Sequence, residues 1–154
     1  MLSPAIAKHT VRQVVKMVRA RNIEFDAIAC RGVSGLLIAP IVAMRLNKTL
    51  IVVRKGENTH SCYTVEGDHG ANTYLILDDF IDVGDTVRQI AKEIYVVNPK
   101  ARCAGFIAYR SLSYKDTDYS FEEEMGNAWW DGHNGFLARF FPEKYVTAVQ
   151  EETA

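Results

Sequence analysis

Asp78 and Asp79 close an unbroken apolar run, residues 73–77 (TYLIL), and are followed closely by Asp82, Gly84, Asp85 and Thr86. A run of β-branched, aromatic and aliphatic residues suits a strand buried on both faces of a parallel sheet. Beyond the glycine, Ile90, Ala91, Ile94 and Tyr95 recur at helical spacing. The stretch therefore reads as strand, acidic pair, glycine turn, helix, the kind of junction at which open α/β sheets bind ligands. Free N–H groups of the turn and first helical turn, with Gly84 permitting close approach, make an anion site that a phosphate fits. Two adjacent carboxylates repel that phosphate unless they face sugar hydroxyls or a divalent cation that also holds the ligand's oxygens. A phosphorylated sugar meets both demands.

The segment LILDDFIDVGDT resembles the phosphoribosyl diphosphate motif of the type I phosphoribosyltransferases: hydrophobic strand, two acids, a short spacer, then Gly-x-Thr. In less detail the resemblance extends over about residues 5–110. It implies that Asp78 and Asp79 hold the ribose hydroxyls and Mg²⁺, and that Asp82, Val83, Gly84, Asp85 and Thr86 complete the phosphoribosyl diphosphate site. Val83 stands where the family usually carries a Thr whose hydroxyl helps bind the 5′-phosphate. Asp85 adds a negative charge near that phosphate, although an acid early in a helix also favours the helix dipole. Asp82 occupies the place where members acting on 6-oxopurines usually have Asp, whereas adenine and orotate members usually have Ala or Thr. The resemblance gives it a catalytic role, proton exchange with the purine imidazole nitrogen. The structural alternative is a turn Asp that hydrogen-bonds its own downstream backbone.

The elements that must position these residues follow from periodicity. Residues 4–21 carry Ile6, Val11, Val14, Val15 and Val18 on a helical stripe, with Ser3 as cap and Pro4 in the first turn. Residues 25–30 read as a buried strand, followed by CRGVSG and an apolar helix over 36–46. Arg31, Gly32, Ser34 and Gly35 offer a guanidinium, a hydroxyl and exposed amides to an anion. An ordinary turn between strand and helix accounts for the same residues. The family places its pyrophosphate loop here, which implies pyrophosphate binding by Arg31 and Gly32; Val33 replaces a frequent glycine. Residues 49–53 form the next strand, ending in Arg54 and Lys55, and the chain is then polar and glycine-bearing to Asn72. A loop of that length in a compact domain suits a lid. It resembles the family's flexible catalytic loop, with Lys55 approaching pyrophosphate as a catalytic group. Ser61 and Tyr63 resemble a Ser-Tyr pair of some purine members, interrupted here by Cys62. His60 and His69 offer ligands or acids, against the commoner case of loop histidines without function. Residues 101–109 supply the last apolar strand.

From Arg110 onward periodicity fades and aromatics accumulate. The family builds a small hood from its C-terminal segment, which implies base recognition by Arg110 and stacking on Trp129 or Trp130. Aromatics packing a sub-core or a dimer contact are the alternative for each.

A chain of 154 residues, 48% hydrophobic, is expected to form a single domain, with a core over about 5–110 and a hood over about 111–154. Cys30, Cys62 and Cys103 are odd in number and widely spaced, which points away from a disulfide framework or zinc site. The start lacks the long apolar run and cleavage site of a leader, and no window reaches transmembrane length. With a net charge of −1 and Lys and Arg scattered, no nucleic-acid surface is expected. The acidic run 122–124 reads as a solvated face or helix start. The expected fold is α/β, a mainly parallel twisted sheet with helices on both faces. The cysteine usage makes the cytoplasm the expected compartment, and the resemblance implies a Mg²⁺-dependent enzyme of purine salvage, a homodimer or higher homo-oligomer. It would transfer 5-phosphoribosyl from phosphoribosyl diphosphate to a nucleobase, a 6-oxopurine by Asp82, with no nucleic acid or membrane as partner. Orotate or another pyrimidine is the alternative base, and a non-catalytic phosphoribosyl diphosphate sensor the alternative class.

Overall fold

The computed structural model describes residues 3–20, 22–56, 64–78 and 85–109. Helix α1 (Pro4–Ala20) opens with its proline, as a residue without an N–H can at a helix start. It buries Val11, Val14, Val15 and Val18 and turns Lys8, Arg12, Lys16 and Arg19 to solvent. Strand β1 (Ala27–Arg31) follows, then α2 (Gly32–Leu36), α3 (Ala39–Leu46), β2 (Thr49–Val53), β3 (Val65–Gly67), β4 (Thr73–Asp78), α4 (Asp85–Val97) and β5 (Arg102–Ala108).

Two expectations change. The apolar helix expected over 36–46 is two helices. Pro40 lies in the first turn of α3, where its ring would otherwise clash with the carbonyl one turn earlier, so the chain breaks at Leu37 and Ile38 and restarts. The loop expected from 56 to 72 is in its second part a return strand: β3 pairs antiparallel with β2, Val53 opposite Val65 and Ile51 opposite Gly67. The hairpin is anchored by the Arg54–Glu66 ion pair at 2.9 Å and by Thr49 Oγ1 donating to Asp68 Oδ2 at 2.7 Å. Asn98, beyond α4, donates to the carbonyls of His69 and Ala71. The rest of the expected lid, residues 57–63 with His60, Ser61, Cys62 and Tyr63 among them, lies outside the described residues.

The sheet order is β3-β2-β1-β4-β5, parallel throughout except for β3 at the edge. β1 is central, and Ala27, Ile28, Ala29 and Cys30 are fully buried, as a strand covered on both faces requires. One face packs Ile28, Leu75, Leu77 and Ile107 against α1 and α3. The other packs Ala29, Ile51, Ile76 and Phe106 against Val87, Ile90 and Ile94 of α4. A bulge in β5 shifts the register between Tyr74 and Leu75, so that Cys103 and Phe106, three residues apart, reach the same face. Among the described residues no helix is long and apolar enough to cross a membrane.

Candidate functional site

The helices that follow β1 (α2, α3) and β4 (α4) cover opposite faces of the sheet, so the strand order reverses between β1 and β4. A crevice opens at the carboxyl ends of two strands so connected. Arg31 is the last residue of β1 and pairs with Val53, two residues before Lys55. Ala29 pairs with Ile76, so the same register carried two residues on sets Arg31 level with Asp78, the last residue of β4. Three residues far apart in the chain, two cations and a carboxylate, thus stand at adjacent strand ends.

Local geometry ties them closer. Gly32 has φ +70, a left-handed conformation that glycine adopts without strain, and Lys55 crosses directly above it. A Cβ on Gly32 would lie 2.8 Å from Lys55 Cε and 3.1 Å from Nζ. The turn between β1 and α2 thus leaves a seat that the lysine fills. Gly35 is close-packed too, since a Cβ there would meet Cys30 Cβ at 2.7 Å. Arg31 Nε is buried without a hydrogen-bond partner among the described residues, a donor that an anionic ligand at these strand ends would satisfy.

Asp78 is 5% exposed, and the N–H of Tyr109 donates to its backbone carbonyl at 3.0 Å. Cys30 lies near enough to feel its charge: burial, and secondarily Asp78, push the Cys30 thiol up to about 12. The sequence offered no sign of this neighbour beyond its place before Arg31 at a strand end. Thr86 lies half-buried in the first turn of α4, which Asp85 begins. Asp79, Asp82, Val83 and Gly84 lie outside the described residues, as do Arg110, Trp129, Trp130 and the hood. His69 has a structural contact, its Nε2 lying 2.8 Å from the carbonyl oxygen of Val65.

Asp78 fits one half of a Mg²⁺ site. It is a hard oxygen donor at the carboxyl ends of the parallel strands, and Mg²⁺ is commonly held by one or two carboxylates together with ligand phosphates and water. Asp79 would be the second.

A five-stranded sheet in this order, with its crevice between β1 and β4, is the fold of the type I phosphoribosyltransferases. Solved members of that fold superpose on most of the described chain. The adenine phosphoribosyltransferase of Thermoanaerobacter pseudethanolicus matches with a TM-score of 0.54 at 19% identity, over 68% of this chain and 67% of that one. The orotate phosphoribosyltransferase of Francisella tularensis matches with 0.57 at 14% identity, over 82% of this chain and 63% of that one. The UMP synthase of Leishmania donovani matches with 0.56 at 23% identity, over 68% of this chain but 22% of that one. In sequence, the transcriptional regulator GfcR of Methanocaldococcus jannaschii is 30% identical over 96 residues, 56% of this chain and 46% of the relative. The chain thus spans about half the length of the curated relative it matches. No protein-family model matches the chain.

Proposed function

We propose that this chain binds phosphoribosyl diphosphate at the carboxyl ends of β2, β1 and β4 and transfers its 5-phosphoribosyl group to a nucleobase, releasing pyrophosphate. The observation that carries the reading is the convergence of Arg31, Lys55 and Asp78 at the point where the strand order reverses, with Lys55 seated on Gly32. In the reaction the anomeric C–O bond to pyrophosphate breaks, a C–N bond to the base forms, and the base nitrogen gives up its proton. Charge collects on the leaving pyrophosphate, and Arg31 and Lys55 hold it through charge-assisted hydrogen bonds. Asp78 and Asp79 orient the ribose through its hydroxyls. Mg²⁺ bound with the substrate supplies further neutralisation of the diphosphate.

Asp82 takes the base proton, and its presence in the motif makes a 6-oxopurine (hypoxanthine, guanine or xanthine) the proposed acceptor, a purine salvage role. A homodimer belongs to the same proposal. Val33, Leu37, Ile41 and Met44 expose large apolar side chains along α2, α3 and the turn between them, a surface that association would cover.

The test is pyrophosphate release from Mg²⁺ and phosphoribosyl diphosphate with each of hypoxanthine, guanine, xanthine, adenine, orotate and uracil, with calorimetric binding of phosphoribosyl diphosphate measured beside it. Release with a 6-oxopurine alone is expected, and its loss in Asp82→Asn by roughly 10² to 10⁴ in kcat marks a proton-transfer role. Release with adenine or orotate instead refutes the base assignment. The similarity to a transcriptional regulator favours a second reading, a phosphoribosyl diphosphate sensor without turnover. Tight binding with no release from any base would establish it.

A further inference from the structure

We propose that the groove between α1 and α3 binds a nucleotide, at a site separate from the one at the strand ends. Four cations, Arg12, Lys16 and Arg19 of α1 and Arg45 of α3, line a cavity of about 560 Å³ floored by the buried side chains of Val11 and Val15. None of the described residues lining it is acidic, and α1 has no Asp or Glu along its whole length. In the sequence these basic residues are scattered. The helical repeat brings Arg12, Lys16 and Arg19 onto one face of α1, and the packing of α1 on α3 adds Arg45. The guanidinium of Arg19 donates to the Arg45 carbonyl at 3.4 Å, which links the two walls.

Helix-end charge explains only half of this set. Arg19 and Arg45 stand in the last turns of α1 and α3, where cations complement the helix dipole. Arg12 and Lys16 lie in mid-helix, where no dipole end calls for them. Cations on the walls and valines on the floor suit one ligand that carries phosphates and a planar apolar body. The volume falls within the roughly 300–1,000 Å³ of small-molecule sites. A nucleic-acid backbone would need the basic track but not the apolar floor. The position also separates this groove from the first site. α1 leads into the start of β1, and α3 into the start of β2, so Arg19 and Arg45 lie at the amino ends of the parallel strands. Arg31, Lys55 and Asp78 lie at the carboxyl ends.

The test is amide-resolved NMR of the 154-residue chain titrated with ATP, inorganic tripolyphosphate, adenosine and a single-stranded oligoadenylate. Shifts at residues 11–20 and at Arg45 are expected with ATP, more weakly with tripolyphosphate, and not with adenosine at the same concentration. Arg12→Glu with Lys16→Glu is expected to weaken ATP at these amides at least tenfold. Should that pair unfold the chain, Arg12→Gln with Lys16→Gln is read for the same loss. Lys55→Ala with Asp78→Asn should leave the α1 shifts in place. ATP shifts confined to the neighbourhood of Arg31, Lys55 and Asp78 would overturn the proposal while leaving the first site untouched. So would undiminished affinity in the folded charge variants, or adenosine binding as well as ATP. An oligoadenylate binding this groove at least tenfold more tightly than ATP would reassign it to nucleic acid.

Discussion

Replacing Gly32 with Ala should weaken pyrophosphate binding through Lys55 while costing the fold little. Two penalties act on the backbone and the side chain separately. At φ +70 an alanine pays about 1–2 kcal/mol for its left-handed conformation, of which the stiffer unfolded chain returns about 0.4–1 kcal/mol. The net loss of stability is thus about 1 kcal/mol. The new methyl would stand 2.8, 3.0 and 3.1 Å from Lys55 Cε, Cδ and Nζ. Those atoms are the far end of a flexible, exposed side chain, so they move aside instead of straining the core. The cost of that movement falls on the ligand: a charge-assisted hydrogen bond is worth about 1.5–3 kcal/mol, so its loss weakens affinity roughly ten- to hundredfold. Calorimetric titration with Mg²⁺-pyrophosphate, on the wild type, Gly32→Ala, Lys55→Ala and the double variant, isolates the effect. If Gly32 acts as the seat of Lys55, Gly32→Ala has no further effect on affinity once Lys55 is alanine. Fully additive losses in the double variant would refute the reasoning and assign Gly32 an independent contact with the ligand.

Gly67→Ala should destabilise the chain far more than Gly56→Ala, although both glycines have φ +100. A Cβ at Gly67 would run into the Leu50 carbonyl oxygen, so the β2–β3 hairpin must open, whereas among the described residues nothing lies within 4 Å of a Cβ at Gly56. Equal losses in urea unfolding would contradict this. Asp26→Ala should cost about 1 kcal/mol in the same assay, near the lower end for lost backbone partners because Asp26 is exposed. Its Oδ2 accepts from the N–H groups of Asn72 and Thr73 at 2.9 and 3.1 Å, and Asp26→Asn should recover part of the loss. Stability should also fall in alkali. The thiols of Cys30 and Cys103 are raised from 9.0 to about 12, chiefly by burial. Between those pH values the unfolded chain holds fewer protons than the folded one, so stability declines by up to about 1.4 kcal/mol per pH unit for each thiol. Below the unfolded value the two states hold the same protons and this dependence vanishes. Denaturant midpoints followed from neutral pH into alkali, with Cys30→Ala and Cys103→Ala expected to flatten the decline, check the sign.

Strand and helix periods, and the order of types along 73–86, were enough to read four of the five strands, α1, α4 and the class of the fold. These are local properties: a doubly buried strand must be apolar along its length, an amphipathic helix must repeat its valines, and Asp78 closes its strand. The place of Asp78 at a strand end was legible for the same reason. What sequence could not show depended on partners distant in the chain. β3 is three residues long, with only Val65 buried, and is a strand because β2 offers it hydrogen bonds. The split of α2 from α3 had a local sign in Pro40, outweighed by the apolar run around it. Seating Lys55 on Gly32 required β1 and β2 to lie side by side, and setting Arg31 level with Asp78 required β4 to cross to the other side of β1. The basic groove likewise exists only because α1 packs on α3. Side-chain type is written along the chain, but the distance between two charges is set by sheet register and helix packing, which tertiary structure alone decides.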